Sequence, residues 1–225
     1  MPTSVIFDLD GTLIDSATVL ITIINEMLAE RGSARVVDAE QARPFLSLGG
    51  LALVSGLLGS ECGNPDAEVT EFRKRYTALP TPADSLYEGV RDGLRDLAES
   101  GFNLAVCSNK PQDLCEKVLT DLDLCSMFKA IVGGTPGRLA KPAPDLMELT
   151  LEHLGARPAE CLFVGDSEVD HALAKATGVG FLFVTYGYDA GNWDSSPVTQ
   201  FSRFGDLVQS IKTQQAAPPG LRAVA

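Results

Sequence analysis

Two carboxylates one residue apart, Asp8 and Asp10, end the apolar run Val5-Ile6-Phe7 and lead straight into Gly11-Thr12. Like charges this close repel unless something positive lies between them. On its own the pair also fits a calcium loop or a helix N-cap, so it reads as half of a site whose remainder lies elsewhere in the chain. Four later stretches carry polar groups of a matching kind. These are Ser108-Asn109, Lys141 before Pro142, Asp166 after Gly165, and Asp170 four residues further on.

The elements that must position these residues can be read from the apolar pattern. Short apolar runs at 4–8, 103–107, 128–132, 161–165 and 180–185 read as strands. They alternate with amphipathic helices at 89–100, 112–122, 144–154 and 169–177, and a last helix covers 204–211. Such alternation implies α/β architecture with a doubly wound parallel sheet. With strand order 3-2-1-4-5, the first strand lies between the second and fourth. Neighbouring strands are about 4.8 Å apart, so Asp8, Ser108 and Asp166 converge at the carboxyl ends, where open α/β sheets bind ligands. Residues 16–80 break the alternation. They read as helices interrupted at Gly32-Ser33, Leu48-Gly49-Gly50 and Gly63-Asn64-Pro65, and they rejoin the pattern through Pro80-Thr81-Pro82. The expected division is a core of 1–15 with 81–213, a helical cap of 16–80 inserted over the strand ends, and a disordered tail of 214–225.

Composition narrows the function. Of 225 residues, 30 are acidic and 18 basic, giving a net charge of −12. With no run of Lys or Arg, a nucleic-acid partner is not expected. The apolar stretch Val19–Ile24 is too short to span a bilayer and has helical spacing, so no membrane association is expected either. Five scattered cysteines without a Cys-x-x-Cys pair argue against a zinc site and fit a reduced, cytoplasmic setting. His153 and His171 lie in helices without a cluster of other ligands, and Glu168 reads as a first-turn acid favoured by the helix dipole.

Taken in order, Asp8-Leu9-Asp10-Gly11-Thr12, Ser108, Lys141 and Gly165-Asp166 with Asp170 resemble the four motifs of the haloacid dehalogenase superfamily. The helical insert resembles that superfamily's C1 cap. The resemblance implies a phosphoryl-transfer enzyme, and the residue types suit that chemistry. Asp8 is the expected nucleophile, forming an aspartyl-phosphate. Asp10 would protonate the leaving oxygen and then take a proton from water. Mg²⁺ prefers oxygen ligands, which Asp8, the Asp10 carbonyl and Asp166 would supply with Asp170 in support. Ser108 and the N–H groups around Gly11, Thr12 and Asn109 would hold the phosphoryl oxygens, and Lys141 would neutralise charge during transfer.

Retention of Asp10 points to phosphomonoester hydrolysis. Ser108-Asn109-Lys110-Pro111 and Thr185-Tyr186-Gly187-Tyr188 look most like phosphoglycolate phosphatases. The expected substrate is therefore a small phosphate ester such as 2-phosphoglycolate, handled by a monomer or homodimer. Two relatives stay open: a sugar-phosphate mutase of the β-phosphoglucomutase type, and a phosphatase for another ester such as N-acetylmuramate 6-phosphate. A phospho-receiver domain is disfavoured, because the third strand ends in Ile131-Val132-Gly133-Gly134-Thr135 without an acid. Arg43 is a conceivable second contact for an anionic substrate, although an exposed surface arginine is the preferred reading.

Overall fold

The computed structural model describes residues 1–216 apart from Ser47, Ala190 and Asn192. Its centre is a parallel sheet of β1 (Ser4–Phe7), β2 (Asn103–Pro111), β3 (Ala130–Gly134), β4 (Cys161–Gly165), β5 (Gly180–Val184) and a two-residue edge strand β6 (Gln200–Phe201). The order is β3-β2-β1-β4-β5-β6, as expected except for β6. That strand is too short to leave an alternating pattern in the sequence.

Alternation along β1 explains the layers. Val5 and Phe7 belong to the apolar cluster on one face of the sheet, together with Leu104, Val106, Leu162 and Val164. Ile6 belongs to the other face, with Ala105, Cys107 and Phe163. Side chains of a strand point to opposite sides in turn, so a central strand covered on both faces must be apolar throughout. Helices α5 (Val90–Glu99), α6 (Gln112–Asp121) and α9 (Phe204–Ala216) cover the first face. Helices α7 (Asp145–Leu154) and α8 (Glu168–Thr177) cover the second. Helix α9 runs five residues beyond the expected end, so the part of the tail at 214–216 is helical. Residues 217–225 lie outside the described residues.

Between β1 and β2 the chain forms α1 (Ala17–Glu30), α2 (Ala39–Ala42), α3 (Gly50–Leu58) and α4 (Pro65–Ala78). Breaks fall where the punctuation lies: Gly49 has φ +84°, and Asn64 caps the Ala67 N–H ahead of Pro65 at the first position of α4. The two ends of this insert meet. Ile14 pairs with Leu86 in an antiparallel bridge, Asp15 N–H donates to the Ser85 carbonyl at 2.7 Å, and Tyr87 N–H donates to the Leu13 carbonyl at 3.2 Å. Both strands of chain entering and leaving the insert therefore run side by side, directly after Asp10. The helices of the insert share the apolar cluster of the first sheet face through Leu9, Leu13 and Ile14.

Candidate active site

Register explains the convergence. Phe7 is level with Val106 on one side and Val164 on the other, so the residues just beyond, Asp8, Ser108 and Asp166, emerge at one end of adjacent strands. All three are buried, as are Lys110, Lys141 and Asp170.

Lys141 is the fixed cation of the site. Its Nζ donates to Asp170 Oδ1 at 2.7 Å and to the Cys107 carbonyl at 3.3 Å, and it stands 2.9 Å from Asp8 Oδ1. Burial works against its charge, but Asp170 and Asp8 together raise its pKa well above the ordinary lysine value. The loop that carries it is held by Asn109, whose side chain accepts from Lys141 N–H at 2.7 Å and donates to the Lys141 carbonyl at 3.2 Å. Asp170 in turn receives the Ser167 hydroxyl at 2.6 Å. Ser167 is the N-cap of α8, so one residue both starts the helix and orients the carboxylate on its first turn.

Asp8 sits in an acidic and dry setting. Burial pushes its carboxyl up to about 6, Lys141 opposes the shift and Asp170 adds to it. Asp8 Oδ1 is fully enclosed and, among the described residues, has no donor aligned for a hydrogen bond. Asp166 is raised well above the ordinary carboxylate range by burial and by the charges of Asp170 and Asp8. Carboxylate oxygens of Asp8, Asp166 and Asp170 lie within 4.8 Å of one another. Three buried carboxylates so close, with only the Lys141 ammonium beside two of them, are the donor set expected for a hard cation with oxygen ligands. The residues present fit a divalent metal. The Asp10 carboxylate stays outside this group and pairs with Lys110 instead.

Two expected phosphate contacts are used differently. Gly11 N–H donates to the Ile14 carbonyl at 2.8 Å, closing the turn after β1. The buried Thr12 hydroxyl donates to Asp166 Oδ1 at 3.1 Å. Both residues therefore build the site rather than point into its pocket. Gly11 is required here for two reasons: its φ is +81°, and a Cβ would lie 2.2 Å from Asp166 Oδ2. The second oxygen of Asp166 accepts from Tyr188 N–H at 2.7 Å. Gly187 makes that approach possible, since a Cβ there would lie 2.3 Å from the Gly11 carbonyl oxygen.

Asp10 faces Lys110, whose Nζ lies 3.1 Å from each of its carboxylate oxygens. The same ammonium stands 4.3 Å from the centre of the Tyr76 ring, on α4 of the insert. Neither Lys110 nor Tyr76 was expected in the site from residue type and spacing. A signal existed for Lys110, within Ser108-Asn109-Lys110-Pro111, and for Gly187 and Tyr188, within Thr185–Tyr188. Tyr76 left none, because an aromatic at helical spacing reads as core. Arg43 is exposed, and its guanidinium turns away from the pocket, donating to the Gly187 and Asp189 carbonyls at 3.4 and 3.2 Å. The arginine that does line the pocket is Arg73. His171 is a packing residue, stacked on Trp193 with ring centres 5.0 Å apart.

A pocket of about 100 Å³ opens above Asp8, Asp10, Ser108, Lys141 and Asp166, roofed by Leu53, Phe72, Arg73 and Tyr76 from the insert. No helix among the described residues is long and apolar enough to cross a membrane.

Comparison with known proteins agrees with this geometry. The profile of the haloacid dehalogenase-like hydrolase family matches residues 5–184. A phosphoglycolate phosphatase of Cereibacter sphaeroides is 37% identical over 191 residues, 82% of this chain and 85% of that protein. One from Xanthomonas campestris is 34% identical over 194 residues, 86% and 87% of the two chains. Among solved structures, a predicted phosphoglycolate phosphatase from Haemophilus somnus superposes with a TM-score of 0.83 at 25% identity, covering 93% of this chain and 98% of that one. CbbY from Rhodobacter sphaeroides, solved with xylulose-(1,5)bisphosphate, superposes at 0.77 with 23% identity and covers 92% and 96%; at that identity the likeness is one of fold.

Proposed function

Because this chain belongs to the haloacid dehalogenase-like hydrolases and, within them, is a phosphoric monoester hydrolase, we propose that it cleaves a small phosphate ester through an aspartyl-phosphate on Asp8, with 2-phosphoglycolate the favoured substrate. The observation that carries this reading is the buried Asp8 carboxylate at the end of the central strand, 2.9 Å from the Lys141 ammonium and grouped with Asp166 and Asp170.

The division of labour follows from the contacts. Asp8 attacks phosphorus, and Lys141, held in place by Asp170 and Asn109, offsets the charge gathering on the phosphoryl oxygens. The Ser108 hydroxyl lies beside the nucleophile and is placed to donate to a phosphoryl oxygen. Asp10, two residues on, gives its proton to the departing alkoxide and later takes one from the water that cleaves the acyl phosphate. Asp8, Asp166 and the Asp10 carbonyl would hold Mg²⁺, which when bound neutralises the carboxylates and draws charge from the phosphoryl group. Thr12 and Tyr188 keep both Asp166 oxygens in position. Residues 16–80 act as a cap, because their paired entry and exit at Ile14 and Leu86 border the site. A net charge of −12 supports a small-molecule substrate rather than a nucleic acid.

The test is a panel of phosphate esters assayed with Mg²⁺, including 2-phosphoglycolate, N-acetylmuramate 6-phosphate and hexose phosphates. A specificity constant highest for 2-phosphoglycolate supports the substrate. A higher value for another ester replaces it, and isomerisation of a hexose phosphate without net phosphate release would replace the reaction class with a mutase.

A further inference from the structure

Lys110 is the one buried cation of the pocket that the reaction as described leaves without a task. The other, Lys141, is saturated: two carboxylates and a carbonyl surround its ammonium. Lys110 has one carboxylate, Asp10, with both contacts at 3.1 Å, longer than the roughly 2.7–2.9 Å usual for an N–H donor on a carboxylate. Beside it stands Tyr76, whose ring centre lies 4.3 Å from the ammonium and attracts it without carrying a full negative charge. Lys110 also lies two residues after Ser108 on β2 and touches Asp10, the residue that the phosphatase reading places at the leaving oxygen.

We infer that Lys110 reads a carboxylate on the leaving group, one or two carbons from the ester oxygen. This rests on the phosphatase reading above and specifies its substrate class as phosphorylated short hydroxy acids. Three observations bear on it. First, the position next to Asp10 makes a carboxylate close to the ester oxygen reachable, whereas a distant one is not. Second, the surrounding wall is apolar, formed by Leu20, Leu53, Phe72 and Leu114. An anion there has weak competition from water, and a single ammonium discriminates strongly. Third, the free space of about 100 Å³ suits a few heavy atoms, far below the roughly 300–1,000 Å³ of sites for drug-sized ligands. Tyr76 from the insert braces the ammonium from the opposite side, so the cap contributes to selection by holding a core lysine in place.

The experiment compares 2-phosphoglycolate with ethyl phosphate, which has the same two carbons and no carboxylate, in wild type, Lys110→Met and Arg73→Met. Lys110→Met keeps the length of the side chain and removes its charge. It also leaves Asp10 without its partner, a loss that falls on both esters alike, so the ratio of their specificity constants isolates the carboxylate contact. The expected result is a wild-type preference for 2-phosphoglycolate that falls at least tenfold in Lys110→Met, mainly through KM, and changes less than threefold in Arg73→Met. Equal losses on both esters would make Lys110 a positioning residue for Asp10 and overturn the inference. A ratio that collapses in Arg73→Met instead assigns the contact to the cap arginine and overturns it too. A wild type that hydrolyses both esters equally well removes the inference and leaves the phosphatase standing; one that hydrolyses neither with Mg²⁺ removes both. Circular dichroism of each variant establishes that it is folded.

Discussion

At the ends of β1, β2 and β4, ionisable side chains are buried among one another and nearly every polar atom is fixed by a neighbour. The facing wall, from α3 and α4, presents Leu53, Phe72, Arg73 and Tyr76, with no ion pair among them. The floor is over-determined. Lys141 is held by Asp170 and Asp8, its loop by Asn109, Asp170 by Ser167, and Asp166 by Thr12 and Tyr188. Fixed dipoles and charges of this kind need no rearrangement as charge moves, the condition for strong transition-state stabilisation. The roof is held by apolar packing and by contacts at its edges, such as Arg43 on the Gly187 and Asp189 carbonyls. Substitutions in the floor should therefore act on every substrate, and those in the roof should act by substrate or hardly at all.

The largest effect tests the floor at its centre. Asp8→Asn should lower kcat by at least about 10⁴ on all esters, because on the proposed mechanism it removes the attacking atom while keeping the shape. It has a second signature. Asp8 ionises at about 6 rather than at the ordinary 3.8, so between those values the folded protein keeps a proton that the unfolded chain has lost. The metal-free wild type should lose stability as pH rises through that window, and Asp8→Asn should lose less, the raised Asp166 carboxyl being left in both proteins. At pH 7 the metal-free variant should be the more stable protein, by up to about 3 kcal/mol. Urea denaturation at pH 4.5 and pH 7 in EDTA measures the difference; a wild type favoured at pH 7 would show that Asp8 is not an uncompensated charge.

Next in size is removal of the metal. EDTA should reduce turnover to background, and Mg²⁺ should restore it. Added Mg²⁺ should also raise the melting temperature of the wild type at pH 7, since an ion that binds only the folded state stabilises it. Asp166→Ala should abolish that rise. A thermal shift in Asp166→Ala equal to wild type would place the cation elsewhere. The substrate-dependent effect of Lys110→Met falls between this and the smaller ones.

Tyr188→Phe probes the seam between floor and roof. The hydroxyl donates to Asp15 at 2.8 Å and accepts from Ser16 N–H at 2.7 Å, at the start of α1. Its loss should cost about 1–2 kcal/mol of stability and leave the preference among esters unchanged. Equilibrium unfolding and the ester ratio report the two halves. Smallest of all, Arg43→Ala should change the ratio of 2-phosphoglycolate to a neutral aryl phosphate by less than about twofold, because an exposed contact to two carbonyls is worth little. A selective loss on the carboxylate substrate would place Arg43 in the pocket after all.

Local sequence carried most of the elements, because apolar periodicity and helix punctuation act over a few residues. Four of the five expected strands fall within two residues of where the apolar pattern placed them, while β2 runs on to Pro111 and β6 left no signal; α7 ends at Gly155, α8 ends at Gly178, and β1 stops one residue before Asp8. The acidic pair, Ser108, Lys141 and Asp166 were legible for a related reason. In a doubly wound sheet, a polar residue just after an apolar strand has one place to go. The sequence thus determined which polar side chains stand at the strand ends. Tertiary structure decided the use of each group. Thr12 turned to Asp166 and Gly11 to Ile14, Asn109 became a clamp, Arg43 left the pocket, and Lys110 came to rest between Asp10 and Tyr76. None of these pairings is local: Tyr76 and Lys110 are brought together only when the helical insert folds back over the sheet. A hydroxyl, an amide or an ammonium takes the nearest partner that burial offers, and in this chain that partner is supplied by packing between distant segments.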